Sequence, residues 1–444
     1  MDIQRLYAAF KECGRVTTDS RAISGGELFF ALKGENFDGN EYALKALDAG
    51  ARYAVVDEKA GVAASGDPRL IAVPDTLAAL QALARHHREN TFVDGRRLMV
   101  IGLTGTNGKT TTKELITKVL SVKYNVTSTQ GNLNNDIGVP LSVLGINSGT
   151  QLAVIEMGAN HPDDIERLVK VCEPDYGLIT NVGKAHLLGF GSFEGVKKAK
   201  GKLYDYLAEH GGSIFLNADD RDLVAMAAER KGLNVIDYGI EYWGATVLPS
   251  DAAHPFVRMA VPESAENLLC LETHLAGAYN ATNIAAAIAV GLHFGVSLED
   301  AIQAVSEYIP KNNRSQLEKT ARNILIVDAY NANPTSMAAA LDNLASVQAP
   351  LKAAMLGDMR ELGEDSVAEH VAILKKLVSM DLDLVCLVGE EFRRALSQVD
   401  PAAAHWFGTS DDLAAWLKAN PVSGHTVLVK GSRGIRMERI LSEL

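Results

Sequence analysis

Cysteine is scarce in this 444-residue chain: Cys13, Cys172, Cys270 and Cys386 lie far apart and without metal-ligand spacing. Such a set builds neither a disulfide framework nor a zinc site, and the four read as reduced core residues. Long apolar runs are missing as well. No stretch approaches the ~18 residues of a membrane span, and the N-terminal MDIQRLYAAFKECGR carries charge through its apolar part, so a cytoplasmic protein is expected. There is no basic excess: 43 Lys and Arg face 55 Asp and Glu, a formal charge of -12. That balance disfavours nonspecific binding to nucleic acid or anionic membranes. Internal repeats and low-complexity tracts are also absent. An anionic substrate must then be held by a few placed cations. Those in glycine or asparagine contexts are Lys109, Arg314, Lys430 and Arg433.

What is present describes a globular chain, 47% apolar and 22% charged, long enough for about three domains. Its organising stretch is Leu98 to Thr112, LMVIGLTGTNGKTTT, where a buried strand runs into a glycine-rich turn and a helix from Thr110 to Val122. Gly105 and Gly108 let backbone approach an anion, and the amides from Thr106 to Thr110 are expected to point at it from the positive end of the helix. Lys109 would neutralise phosphate charge, and the Thr110 hydroxyl is placed to ligate Mg²⁺. The general phosphate-loop pattern wants glycine where Leu103 stands, so this is a shortened variant.

Before that stretch, residues 1–95 read as a small α/β unit, with strands at Glu27–Leu32 and Arg52–Val56 and helices at Tyr42–Asp48 and Thr76–Glu89. Its polar segments, Thr18-Asp19-Ser20-Arg21 and the Lys33–Asn40 loop, suit either ligand binding or plain turns, and composition favours turns. A polar break at Asp94–Arg97 marks the first boundary. Residues 96–309 alternate strands (Gln151–Glu156, Tyr176–Thr180, Ser213–Leu216) with helices (Asp163–Cys172 with Pro162 in its first turn, Phe193–Glu209, Asp219–Arg230), a mostly parallel sheet wrapped by helices. From about Asp237 to Thr273 the helical period lapses into short strands or loop, and Ala281–Phe294 resumes as a buried helix. The second boundary falls near Ile309–Arg314. Residues 310–444, with strands at Ile324–Asp328, Ala353–Leu356, Leu384–Val388 and Thr426–Val429, read as a Rossmann-like domain without a dinucleotide fingerprint.

Ligands of open α/β sheets gather at the carboxyl ends of strands. There stand Glu156, after Leu152–Ile155, and His186, after Leu178–Thr180, on the rim that carries Thr110. Together they would complete a metal shell, though each alone is equally a solvated glutamate and a loop histidine. Lys200, in Lys197-Lys198-Ala199-Lys200-Gly201-Lys202, reads on its own as a solvated helix edge.

TGTNGKTT at 104–111, GNLNNDIGVP at 131–140, EMG at 156–158, ITNVGKAH at 179–186, DAYNANPTSM at 328–337, MLGDMRELG at 355–363 and VKGSR at 429–433 together resemble the Mur ligases over nearly the whole chain. Within that family YNANP, GDM-x-ELG and KGSR most resemble members that add D-alanyl-D-alanine to UDP-N-acetylmuramoyl-tripeptide. The phosphate loop alone gives only the superfamily, which also includes folylpolyglutamate synthase. The resemblance implies a small α/β N-terminal domain for the UDP end of the substrate, a central P-loop-type ATPase domain and a C-terminal Rossmann-like domain, in a cytoplasmic, monomeric enzyme of peptidoglycan precursor synthesis.

It also implies roles. Gly105, Thr106, Asn107, Gly108, Lys109, Thr110 and Thr111 would cradle the phosphates of ATP. Asn280 and Asn283 match adenine contacts, Arg314 the arginine reaching the γ phosphate, and Asp328 the ribose acceptor. Ser20 and Arg21 become uridine-nucleotide contacts, Asn132, Asn134 and Asn135 face the muramoyl part, and Tyr330, Asn331 and Asn333 line the cleft. Ala199-Lys200 matches a pair whose lysine is carbamylated in several members; an ammonium would repel Mg²⁺, whereas a carbamate offers it anionic oxygens. Thr110 and Glu156 would then serve one Mg²⁺, and Glu156, His186 and Lys200 a second. Leu188 and Lys202 depart from the glutamates common at those positions. The competing readings are another amide-forming ligase on the same scaffold and a nucleotide-driven switch that joins nothing.

Overall fold

The computed structural model describes residues 2–249, 255–264, 266–310, 314, 316–399 and 404–444. Lys311, Asn312 and Asn313, within the expected second boundary, lie outside them. Three parallel α/β layers follow one another along the chain. The first sheet runs Val16–Thr17, Leu28–Phe30, Tyr53–Asp57 and Leu70–Val73, all parallel and in that spatial order. The second has six parallel strands in the order Asn234–Tyr238, Ser213–Asn217, Tyr176–Ile179, Met99–Thr104, Leu152–Glu156 and Val126–Ser128. The third places Ile324–Asp328, Thr426–Lys430, Lys352–Gly357, Leu384–Val388 and Ala404–Phe407 in parallel, with Gln316–Lys319 antiparallel at one edge. Near-continuous apolar strands such as Val100–Leu103 are what burial on both faces requires.

The phosphate-loop strand is central to its sheet, and its register fixes the rim. Leu103 pairs with Glu156 on one side, and Thr104 with Ile179 on the other. One face of this sheet is covered by the helices Lys109–Leu120, Asn280–His293 and Leu298–Ser306, together with an antiparallel sheet of Thr246–Leu248, Arg258–Pro262 and Leu268–Glu272. The opposite face packs into an apolar core that continues without a break into the N-terminal unit, from Leu6 and Phe10 through Leu80 and Leu83 to Leu168 and Leu207.

That continuity is reinforced by charge. Arg88, fully buried on the helix Thr76–Glu89, donates to Cys172 O, Glu173 O and Asp175 Oδ2, the last at 2.7 Å. The neighbouring Arg85 and Arg97 both reach Glu173. His87, the preceding residue of the same helix, bonds the Ile146 carbonyl at 2.8 Å.

Several sequence expectations shift at their ends. The helix expected from Tyr42 begins at Ala43, after a 3-10 turn over Gly39–Tyr42 capped by Asp38, and the helix expected from Asp219 begins at Arg221 because Asp220 accepts the amides of Asp222 and Leu223. Pro162 precedes the cap residue Asp163 and lies outside the first turn. The Asp94–Arg97 break is a small hairpin, with Phe92–Val93 paired to Arg96–Arg97. The helices Ile3–Cys13, Gly138–Leu144 and Leu298–Ser306 were not anticipated. The first starts where the Asp2 side chain accepts the amides of Gln4 and Arg5, and it ends at Gly14 in the left-handed region.

Candidate functional site

The turn after Met99–Thr104 depends on two glycines at positive φ, Gly105 at 146° and Gly108 at 79°. A Cβ on Gly105 would sit 1.9 Å from Thr180 Oγ1, so the loop is pressed against the end of the neighbouring strand. Thr180 and Asn181 brace it. Thr106 N donates to Asn181 O, Asn107 N to Asn181 Oδ1, and Thr180 Oγ1 to Asn107 O at 2.6 Å. The expectation that all amides from Thr106 to Thr110 face an anion is thereby corrected: the first two are satisfied by Asn181. Those of Gly108, Lys109 and Thr110 open the helix Lys109–Leu120, ahead of its own ladder, at the positive end of its dipole.

Two lysines converge on one carbonyl. Lys109 Nζ bonds Gly105 O at 2.8 Å and Thr106 O at 3.1 Å, and Lys200 Nζ bonds the same Gly105 O at 3.0 Å. Lys200 is 3% exposed, which overturns its reading as a solvated helix edge. Burial, and then the neighbouring Lys109 charge, drive its amine well below the usual lysine range. Burial also lowers Lys109, opposed by Glu156 and assisted by Arg314.

Glu156, at the end of Leu152–Glu156, is 1% exposed. Its Oε1 accepts from Thr110 Oγ1 at 3.2 Å and Asn134 Nδ2 at 2.8 Å, whereas its Oε2 is buried without a partner. A buried carboxylate oxygen left over beside a threonine hydroxyl suits a hard divalent cation that completes its shell with water and phosphate. Lys113, one turn beyond Lys109, is buried on Thr129 O at 2.7 Å, with Glu156 among the charges that hold its own. It was missed because only burial distinguishes it from a surface lysine.

His186 lines the same cavity as Glu156. Its Nδ1 meets the Glu361 carboxylate, from the third sheet's loops, and burial lowers its pKa against the pull of Glu361. Among the described residues no three His, Cys, Asp or Glu side chains are gathered as a metal cluster. Of the expected trio, Glu156 and His186 share one cavity lining, and the Lys200 charge bears on the imidazole.

The remaining candidates fall into one cavity of about 440 Å³ between the second and third sheets. Asn280 and Asn283 reach it because their alanine-rich helix packs along Lys109–Leu120; Asn283 Oδ1 accepts from Thr112 Oγ1, and Asn280 Oδ1 from Asn283 Nδ2. Asp328 and Lys430 are register partners and form an ion pair at 2.5 Å. The Arg314 guanidinium lies over the Tyr330 ring at 3.8 Å, its Nε buried without a partner, while Arg433 donates to the Tyr330 hydroxyl. Asn333 caps the helix Pro334–Ser346 and exchanges side-chain bonds with Asn107 across the cavity. Asn132, Asn134, Asn331, Thr106, Asn107, Gly108, Lys109 and Thr111 line it too.

Three candidates stay apart. Asn135 accepts from Ile137 N and Gly138 N, a local cap. Ser20 and Arg21 form a 3-10 turn in the N-terminal unit, where Arg21 pairs with Asp19 at 2.8 Å and holds that carboxyl down to about 2.

Three family models match successive parts of the chain. Residues 13–88 match the Mur ligase family catalytic domain, 103–291 the Mur ligase middle domain, and 313–433 the Mur ligase glutamate ligase domain. A Bacillus subtilis protein named UDP-N-acetylmuramoyl-tripeptide–D-alanyl-D-alanine ligase is 34% identical over 97% of this chain and 92% of its own. MurF from Acinetobacter baumannii superposes with a TM-score of 0.87 at 30% identity, covering 100% of this chain and 98% of that one. MurF ligase from Thermotoga maritima in complex with ADP does so with 0.82 at 27%, over 97% and 96%. With likeness of this extent at every level, the chain belongs to the Mur ligase family.

Proposed function

We propose that this protein joins D-alanyl-D-alanine to UDP-N-acetylmuramoyl-tripeptide at the expense of ATP, making a peptidoglycan precursor in the cytoplasm. The observation that carries the reading is the cavity itself. Phosphate-loop amides, Lys109, Asn280 and Asn283 meet Arg314, Asp328 and Tyr330 there, in a chain alike over 97% of its length to the Bacillus subtilis ligase.

On this reading residues 1–95 hold the uridine end through Ser20 and Arg21, residues 96–309 bind ATP, and residues 310–444 close on it. Asn280 and Asn283 face adenine, and Asp328, held by Lys430, accepts from the ribose. Gly108, Lys109 and Thr110 bind the phosphates and Arg314 reaches the γ phosphate. The tripeptide's terminal carboxylate attacks that phosphorus, ADP leaves, and an acyl phosphate forms. The amine of D-alanyl-D-alanine then attacks the acyl carbon, and phosphate departs with Lys109 stabilising the developing charge. Mg²⁺ held by Thr110 and Glu156, and a second ion near His186 and a carbamylated Lys200, would add charge neutralisation on the phosphates. The protein's own contribution to that modification is a buried Lys200 whose charged form is disfavoured by burial and by Lys109, which favours uptake of carbon dioxide. Activity that rises with added bicarbonate, and a Lys200→Arg variant indifferent to it, is the expected signature.

The test of the whole reading is phosphate release from Mg-ATP with the UDP-tripeptide, with and without the dipeptide, while the UDP product is weighed. A dipeptide-dependent product heavier by the dipeptide less one water is expected. Phosphate release without that product would point to a neighbouring ligase, or to a switch if no amine mattered.

A further inference from the structure

The loop after the strand Lys352–Gly357 carries Glu361 at φ 64°, a left-handed conformation that glutamate disfavours, and Gly363 follows at 58°. The loop is braced from behind. Asp358 accepts the amides of Glu391 and Phe392 at 3.0 and 2.9 Å, Met359 N donates to His370 Nε2 at 3.0 Å, and Arg360 N to Ser432 Oγ at 2.9 Å. A braced loop that keeps a strained glutamate presents it to something outside its own domain. Its carboxylate meets His186 Nδ1, and its carbonyl accepts from Leu188 N at 3.3 Å. Beside it Leu188, 73% exposed, lies against Gly363, and Lys184 pairs with Glu369 at 2.7 Å.

We propose that Glu361 is a positioning residue: by accepting a hydrogen bond from His186 it latches the C-terminal domain onto the Lys184–Leu188 segment and sets the orientation of the imidazole at the reaction rim. The kinetic part of this inference rests on the ligase reading above; the structural part does not. Glu361 does not itself line the cavity, but His186, which it contacts, does, so it acts through His186 and through the seam.

The experiment compares Glu361→Gly, Glu361→Ala and Glu361→Gln in the full chain. Small-angle scattering should give a larger radius of gyration for the glycine and alanine variants, and turnover should fall roughly tenfold, the effect of losing one charge-assisted bond. Glu361→Gln keeps an acceptor for Nδ1–H and should recover the wild-type radius and most of the rate. Thermal unfolding separates latch from scaffold: Glu361→Gly relieves the left-handed backbone and should be at least as stable as wild type while its seam opens. A wild-type radius and rate in Glu361→Gly, or no recovery in Glu361→Gln, would overturn the proposal. Scattering needs no turnover, so a failed ligase assay on the wild type would sink the functional reading and leave this arm intact.

Discussion

Lys200 is the residue at which sequence and structure part most sharply. Its neighbours Lys197, Lys198 and Lys202 suggest a solvated stripe, and nothing local says that one of four lysines faces inward onto Gly105 O. Only the family resemblance singled it out, because its burial comes from a carbonyl 95 residues away. Gly105 is the opposite case, legible at once from its motif, and its geometry yields an expected outcome. Gly105→Ala places a methyl group 1.9 Å from Thr180 Oγ1 at a φ of 146°, where neither Thr180 nor the backbone can give without moving the phosphate loop. A loss of about 1–3 kcal/mol of stability is expected, with ATP turnover falling further than stability alone explains. Urea midpoints and phosphate release measured on the same preparation check both parts. Gly105→Ala with a wild-type midpoint would mean that the loop is softer than its contacts imply.

At the scale of elements, periodic helices and buried strands were legible, and the helix Thr76–Glu89 was placed to the residue. What escaped were pieces whose signal is a cap or a partner, such as Ile3–Cys13; the stretch read as short strands or loop contains the antiparallel strands Thr246–Leu248, Arg258–Pro262 and Leu268–Glu272, whose three to five residues carry too few side chains for a period to place them. The role of Thr76–Glu89 as a bracket was also hidden, since a buried arginine looks like any other in sequence. Arg88→Met leaves the Cys172 and Glu173 carbonyls without their buried donor and Asp175 with Arg97 alone at 3.4 Å, so a loss of about 1–3 kcal/mol is expected in chemical unfolding. His87 on the same helix adds a pH dependence. Burial lowers its pKa below 6.5, so the folded state prefers the neutral ring that bonds Ile146 O. The contribution is complete above the unfolded value of about 6.5 and is lost as pH falls from there towards the folded value. Between pH 7.5 and 5.5 the urea midpoint of wild type should therefore drop more than that of His87→Gln, which keeps a donor and does not titrate. Equal drops would remove His87 from the account.

The whole molecule divides unevenly, and this decides which part moves. The N-terminal unit and the phosphate-loop sheet share one apolar core reinforced by Arg85, Arg88 and Arg97, whereas the third sheet closes cores of its own, which among the described residues only Ala276 joins from the central region. Contacts across the seam beside the cavity are mostly polar, Asn107 with Asn333, Lys184 with Glu369 and His186 with Glu361, with Leu188 lying against Gly363 beside them. Apolar cores resist separation in proportion to buried area, whereas exposed polar contacts exchange readily for water. Calorimetry without nucleotide should then resolve two transitions, one for residues in the shared core and one for the C-terminal sheet. A nucleotide held by Asn280 on one side and by Arg314 and Asp328 on the other stabilises only the closed arrangement. At a non-hydrolysable ATP analogue concentration of about 100 times its Kd, roughly 2.7 kcal/mol is added, and both transitions should move up together and approach one another. If only the first transition rose, nucleotide would be a ligand of the central sheet alone, and closure of the C-terminal domain would have to be driven by the substrate or by the Glu361 seam. A single transition without nucleotide would mean that the polar seam holds as firmly as a core, and that the domain does not swing.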